Sequence, residues 1–411
     1  MHFGHLLAGI LLLIAPMSIA NAQTSGPLDW DRALSPFQGT ERETHFLMRS
    51  DATSEYREIT VRVPSGYRSG DHSYPVLYVT DADWNYPLVA DYVEYLSYWH
   101  RIPETIVVGI RNVDRNRDFI PRPSRSFPNT GQADRFAEFL VNELKPALDT
   151  RYRTNGFDTL FGHSFGGVIT THVLLTHPEA FDAYIALSTS TWVANRVLFE
   201  EAEAFFEAGT SPDAFLYMAV AEADGGATVP DGNTFAELFE ARGPDTIEFH
   251  YDIVPATNHF TVVMPAFADA LQKLYPAWGF EDELRQRIEA DGAAAINQWF
   301  AEKQRELGPR FYSQAMELGL MGITLASEGR EDAVRALFDR LRADHPRSAE
   351  TLFINALAEN ALGNTETAVE RVEQAHALGR ETGVMPHRLT TYRNLAEQWS
   401  AQPDEAAQEQ N

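Results

Sequence analysis

"FGHSFGG", residues 161–167, decides how the rest of the chain is read. The stretch leading into it, "DTLF" (158–161), is short and mostly apolar, as a buried strand is. The stretch leaving it, "GGVITTHVLLTH" (166–177), is an apolar helix. Ser164 therefore falls on a strand-to-helix turn. Gly162 and Gly166 keep that turn clear of side chains, so a strained backbone can present the hydroxyl outward. The first amides of the helix point at the same spot and favour developing negative charge. A glycine-rich turn with a capping serine has the same spelling, so the surroundings must decide.

Those surroundings alternate. "EITVRV" (58–63) has the apolar–polar alternation of an outer strand. "PVLYVTD" (75–81), "TIVVGIR" (105–111), "DTLFG" (158–162), "AYIALS" (183–188) and "AFLYMAVAE" (214–222) are the short apolar runs of buried parallel strands. Helical patterns lie between them at 86–98, 133–148, 166–176 and 234–241. Strand–helix alternation predicts an α/β domain with a largely parallel sheet and helices on both faces. In the helix "NYPLVADYVEYLSYWHR", the spacing of Leu88, Tyr92, Tyr95 and Trp99 predicts a core-facing stripe.

A serine hydroxyl is a poor nucleophile until a base takes its proton, and on such a fold the chain order is Ser, acid, His. His172 lies inside the helix after Ser164, His177 ends that helix, and His250 lies within the strand-like "TIEFHYDIV". His259, in the loop just after that run, stands where a base is needed. The acid should follow "AFLYMAVAE". Asp224 stands just past its end, Glu222 is the local competitor, and Glu237 and Glu240 follow on the next helix. An oxyanion hole needs two backbone N–H groups. One falls on Phe165, the other on the loop Ala82-Asp83-Trp84 after "PVLYVTD".

Together these pieces resemble the putative-esterase branch of the α/β-hydrolases, which includes siderophore esterases, S-formylglutathione hydrolase, feruloyl and acetylxylan esterases and mycolyltransferases. The likeness rests on "VLYVTDADWNY", "VVGIRNVDRNRDFIPRP", "LFGHSFGG" and "HPEAFDAYIALSTSTWV", within residues 44–276. It implies an α/β-hydrolase fold and a cofactor-free triad of Ser164, His259 and Asp224, acting on a small-molecule ester. It also implies Asp83 as the second oxyanion donor, with Ala82 where the family usually has glycine. The mycolyltransferases carry their acid further along, which keeps Glu237 and Glu240 open.

"GIRNVDRNRDFIPRP" sets Arg111, Arg115, Arg117 and Asp118 in a loop at the carboxyl end of a strand, where ligands sit on such sheets. An arginine there binds a substrate acid or carbonyl group, or pairs with an aspartate and braces the loop. Trp84, His163 and Trp192 complete the candidate pocket. No zinc-protease motif, paired-histidine spacing or phosphate loop is present, so no metal and no cofactor is expected.

The 411 residues carry a net charge of -26 and no cysteine. That charge disfavours nucleic acid and anionic membrane surfaces as partners. The missing cysteine excludes disulfides, a thiol nucleophile and a lipid-anchored N-terminal cysteine. "MHFGHLLAGILLLIAPMSIANAQ" has a short apolar run and then Ala20-Asn21-Ala22, although no Lys or Arg precedes the run. It is expected to be a signal peptide over 1–22, giving a periplasmic or secreted chain with no membrane span.

From residue 279 to 402 no strand pattern appears. "ASEGREDAVRALFDRLRADHP" (326–346) pairs with "NALGNTETAVERVEQAHALG" (360–379), and Gly329 and Gly363 are 34 residues apart. The period, the small Ala333 and Ala368, and Pro346 resemble tetratricopeptide repeats, a surface for a protein partner. A generic helical extension is the alternative. Residues 403–411 are polar and expected to be disordered. Three functions stay open: a serine hydrolase, covering residues 23–278, that cleaves a carboxylic ester; an acyltransferase using the same groups; and a repeat-based binding protein with a silent hydrolase domain.

Overall fold

The computed structural model describes residues 42–64, 67, 73–99, 101–276, 280–311, 313 and 315–401. The expected signal peptide and the expected disordered tail lie outside the described residues.

Eight strands form one sheet: β1 (Glu43–Ser50), β2 (Glu55–Arg62), β3 (Tyr74–Val79), β4 (Ile106–Ile110), β5 (Thr154–His163), β6 (Ala183–Leu187), β7 (Ala214–Ala221) and β8 (Ile247–Val254). Their order is β1-β2-β4-β3-β5-β6-β7-β8. β1 and β2 are antiparallel to their neighbours, and every pair from β4 to β8 is parallel. The central strands β3, β4, β6 and β7 are buried along their whole length, which is why they read as unbroken apolar runs.

The helices before residue 276 are α1 (Asn85–Tyr98), α2 (Arg115–Phe119), α3 (Ala133–Glu138), α4 (Lys145–Arg151), α5 (Phe165–Thr176), α6 (Val193–Ala208), α7 (Thr228–Arg242) and α8 (Val263–Leu274). A π-helical turn, Phe139–Leu144, joins α3 to α4. One core layer packs α3 to α7 against the sheet; the other packs α1 and α8. The expected stripe on α1 is a misreading. The buried face is Tyr86, Val89, Ala90 and Val93, while Leu88 is 43% and Tyr95 58% exposed. Tyr86 lies against the sheet with the smaller Val89, Ala90 and Val93, Tyr92 is half-buried at its edge, and Tyr95 rides outside.

The helices after residue 279 are α9 (Phe280–Asp291), α10 (Ala294–Leu307), α11 (Ala315–Ser327), α12 (Glu331–Asp344), α13 (Ala349–Ala361), α14 (Thr365–Thr382) and α15 (Pro386–Ser400). Gly329 follows α11 at φ +73° and Gly363 follows α13 at φ +83°. The pairs α11–α12 and α13–α14 thus turn at matching left-handed glycines. These helices meet the sheet domain at the start of its strands: Arg310 pairs with Glu248 of β8, Arg101 with Glu317, and Arg388 lies over the Trp99 ring. No described helix is long and apolar enough to cross a membrane.

Candidate active site

β5 runs out of the sheet at His163, and α5 begins at Phe165. Ser164 between them has φ +62° and ψ −116°, outside the regions that L-residues ordinarily occupy. Such strain persists only where surrounding structure enforces it. Here the glycines allow the enforcement. A Cβ on Gly162 would lie 2.0 Å from the Gly166 carbonyl oxygen, and one on Gly166 would lie 2.7 Å from Thr80 Oγ1. The turn is this tight because strand and helix touch backbone to backbone. The Ser164 N–H donates to the Leu187 carbonyl at 2.8 Å, fixing the turn to β6.

Asp224 lies just past β7, and His259 in the loop after β8. His259 Nδ1 and Asp224 Oδ1 are 2.8 Å apart, with the carboxylate 1% and the ring 27% exposed. Burial alone would raise the Asp224 carboxyl. Its bond to His259, the nearby Ser188 hydroxyl and the Gly225 N–H outweigh burial and hold it below the usual aspartate range. Ser188 is itself buried, with φ +41°, and neither its Oγ nor Asp224 Oδ2 has a partner at full hydrogen-bond geometry. Glu222 points elsewhere: its Oε2 accepts the Ala256 N–H at 2.8 Å. Glu237 and Glu240 lie on α7 and make no hydrogen bond to His259 among the described residues.

His259 makes no hydrogen bond to the Ser164 hydroxyl among the described residues. It is tied instead to Asp224 by its ring and to His163 by its carbonyl oxygen. Catalytic hydrogen bonds are often long until substrate tightens them.

In the loop after β3, the Ala82 N–H donates to Ile110 O and the Trp84 N–H to Asp81 O, both at 3.1 Å. No acceptor for the Asp83 or Phe165 N–H is found among the described residues, so both expected oxyanion donors are available. Side chains hold this loop. Asp83 Oδ2 accepts the Asn112 N–H at 2.9 Å, and Asp83 Oδ1 lies 3.3 Å from Arg111. The left-handed residue is Asp81, at φ +53°, and not Ala82. Ala82 is buried, and its methyl fits because position 109 is glycine: a Cβ there would come within 3.0 Å of Ala82 Cβ and 2.5 Å of the Tyr86 ring.

The remaining candidates take different places. Arg115 braces the site: its guanidinium grips Asp81 at 2.7 and 2.9 Å and reaches the His163 carbonyl at 3.3 Å. Burial lifts Asp81 above the usual carboxylate range, against the pull of Arg115 and Asn112. Arg117 and Asp118 join a buried network with Arg57 and Glu55. Arg111, half exposed, pairs with Glu58 at 3.0 Å. Trp84 is 53% exposed on the mouth, beside Arg115. Trp192 donates from Nε1 to Thr228 Oγ1 at 3.2 Å. His163 is buried.

Three residues had no signal in the sequence. Phe127, in the loop before α3, packs edge-on against Phe165 at 5.0 Å and lies 6.0 Å from Trp192, forming an aromatic wall behind the elbow. Ser188 reaches Asp224 only through the fold. Phe260 is 81% exposed directly beside His259. No group of three or more His, Asp or Glu able to hold a metal is found among the described residues.

A parallel sheet, a serine on a strained strand-to-helix elbow, and a histidine–aspartate pair on the loops after β7 and β8 define the α/β-hydrolase class. Residues 50–224 match the family model described as Putative esterase, and the resemblance read from the sequence holds over that part of the chain. The chain is 35% identical over 141 residues to the ferri-bacillibactin esterase BesA of Bacillus subtilis, covering 28% of this chain and 48% of that protein. It is 37% identical over 95 residues to the siderophore triacetylfusarinine C esterase of Aspergillus fumigatus, covering 23% of this chain and 32% of that protein. The matches thus span about a third to a half of these relatives' length. An IroE-like serine hydrolase from Shewanella oneidensis shares the fold, with a TM-score of 0.62 at 24% identity over 73% of this chain and 99% of its own.

Proposed function

We propose that the chain is an exported serine hydrolase that cleaves a carboxylic ester. The observation that carries this reading is the 2.8 Å bond between Asp224 and His259, on the loops that flank the strained Ser164 elbow. Ser164 attacks the ester carbonyl. His259 takes the hydroxyl proton and hands it to the leaving alcohol, while Asp224 holds the ring tautomer and stabilises the imidazolium. The Phe165 and Asp83 amides receive the oxyanion. Water then attacks the acyl-enzyme, again through His259. Residues 23–278 form the catalytic domain and 279–402 a tetratricopeptide-like domain, with 1–22 removed on export. Siderophore esters, after which the relatives are named, are the first natural substrates to try.

The test is hydrolysis of p-nitrophenyl acetate and butyrate by the chain from Gln23, beside Ser164→Ala. Turnover that falls to background in the variant supports the reading. Equal activity in both overturns it, as does failure of a fluorophosphonate to label Ser164 when both are silent.

A further inference from the structure

We propose that His163, the residue before the nucleophile, is a positioning residue that sets the catalytic base relative to the serine. The inference rests on the serine-hydrolase reading, and its observations are geometric. His163 Nε2 lies 2.6 Å from the carbonyl oxygen of His259. A carbonyl can only accept, so Nε2 carries the proton. The two imidazoles lie against each other, with centroids 4.7 Å apart. Burial first, and then the neighbouring His259, pushes the His163 ring down to about 4, so it is neutral with its single N–H committed to this bond.

His259 is therefore held at both ends, by its ring to Asp224 and by its carbonyl to His163. The residues on either side of His259 are tied to one another, with Asn258 Oδ1 accepting the Phe260 N–H at 3.0 Å and the Asn258 N–H donating to Thr261 Oγ1 at 2.9 Å. This turn is anchored further off by the Ala256 N–H on Glu222 and the Ala223 N–H on Thr257 O at 3.0 Å. Without His163 this turn keeps its own bonds and the bond to Asp224 but loses the tie between the His259 carbonyl and the residue before the nucleophile, so the base can shift relative to Ser164. The groups facing His163 extend the chain of contacts. Arg115 bonds its carbonyl and grips Asp81 at the start of the oxyanion loop. A continuous path thus runs Asp81–Arg115–His163–His259–Asp224. It joins the oxyanion loop, the elbow and the base through one residue whose side chain points at the base and whose neighbour is the nucleophile.

The test compares His163→Leu, which removes the donor, with His163→Gln, whose amide nitrogen can reach the same carbonyl. A misplacement near 1 Å costs on the order of a hundredfold. His163→Leu should therefore lose about that much in kcat, with KM changed less than about threefold, and the fluorophosphonate labelling rate should fall in parallel. His163→Gln should recover at least about tenfold of the loss. A role in packing alone would lower the unfolding midpoint and leave kcat per labelled site unchanged, and that result overturns the proposal. So does a glutamine variant as poor as the leucine one. Should the leucine variant not fold, ¹⁵N-histidine spectra of the wild type decide: an exchange-protected proton on His163 Nε2 is required, and its absence overturns the proposal. That spectrum is independent of turnover, so loss of the esterase reading and loss of this bond are told apart.

Discussion

Asp224→Asn probes the site at the point where its chemistry is most specific. The carboxylate is almost fully buried, and its Oδ1 is 2.8 Å from His259 Nδ1. When His259 accepts the serine proton, the ring becomes a cation beside that carboxylate. Two unit charges about 4 Å apart at an effective dielectric near 20 attract by about 4 kcal/mol. Losing that attraction only in the transition state slows the reaction by about a thousandfold. The amide also offers the ring an N–H, which favours the wrong tautomer and carries the expected loss toward ~10⁴. Glu222→Gln removes a carboxylate two residues away that serves only a loop amide, and should change activity by less than about threefold. The assay is kcat/KM on p-nitrophenyl butyrate, with active sites counted by fluorophosphonate titration. The reasoning fails if Asp224→Asn retains more than about a tenth of wild-type activity, or if Glu222→Gln falls as far.

His172 is buried on α5. Burial opposes its charge, yet ion pairs to Asp134 at 3.1 Å and Glu201 at 2.9 Å win and push its pKa up to about 9. A raised histidine contributes stability that is fully present below about pH 6.5 and is lost as pH rises through about 9, so the wild-type unfolding midpoint should fall across that window and that of His172→Gln should not. Gly162→Ala drives a Cβ into backbone and should lose about 3 kcal/mol or more in urea unfolding, whereas Gly225→Ala, with nothing within 4 Å, should be near neutral. Phe260→Ala should leave the unfolding midpoint unchanged and raise KM several-fold for p-nitrophenyl esters of aromatic acids but not for p-nitrophenyl acetate, because the ring is exposed beside the base; equal KM changes on both would remove it from the acyl group's path.

The elbow could be read in advance because its constraint is local: strand, glycine, serine, glycine and helix lie within one stretch of chain. The interior strands were legible for a similar reason, since burial on both faces leaves a continuous apolar run. The edge strand β1 escaped, because "ETHFLMRS" mixes charges with its apolar face and pairs only with β2. Helix α6 also went unread. Its apolar positions are diluted by acidic ones, and Ala194, Asn195 and Arg196 start it with left-handed angles. On α1 the periodicity was real and the face was wrong, because ring size is not a measure of burial. His163 looked like a pocket residue. Its partner lies 96 positions further along the chain, a separation to which no local pattern points.

The helices after residue 279 hold the sheet by the beginnings of its strands, while Ser164, Asp224 and His259 stand at the strands' far ends. From Glu248 to Val254, β8 alone spans roughly 20 Å. The sheet thus stands between the helices and the elbow. A molecule seated on the helices would tether the protein without shading the mouth, and a change of tenant there would leave the chemistry untouched. The loops that carry Trp84, Arg111 and Phe260 lie at the mouth, a full strand's length from the helices, so a substitution on the helices reaches them only through the sheet.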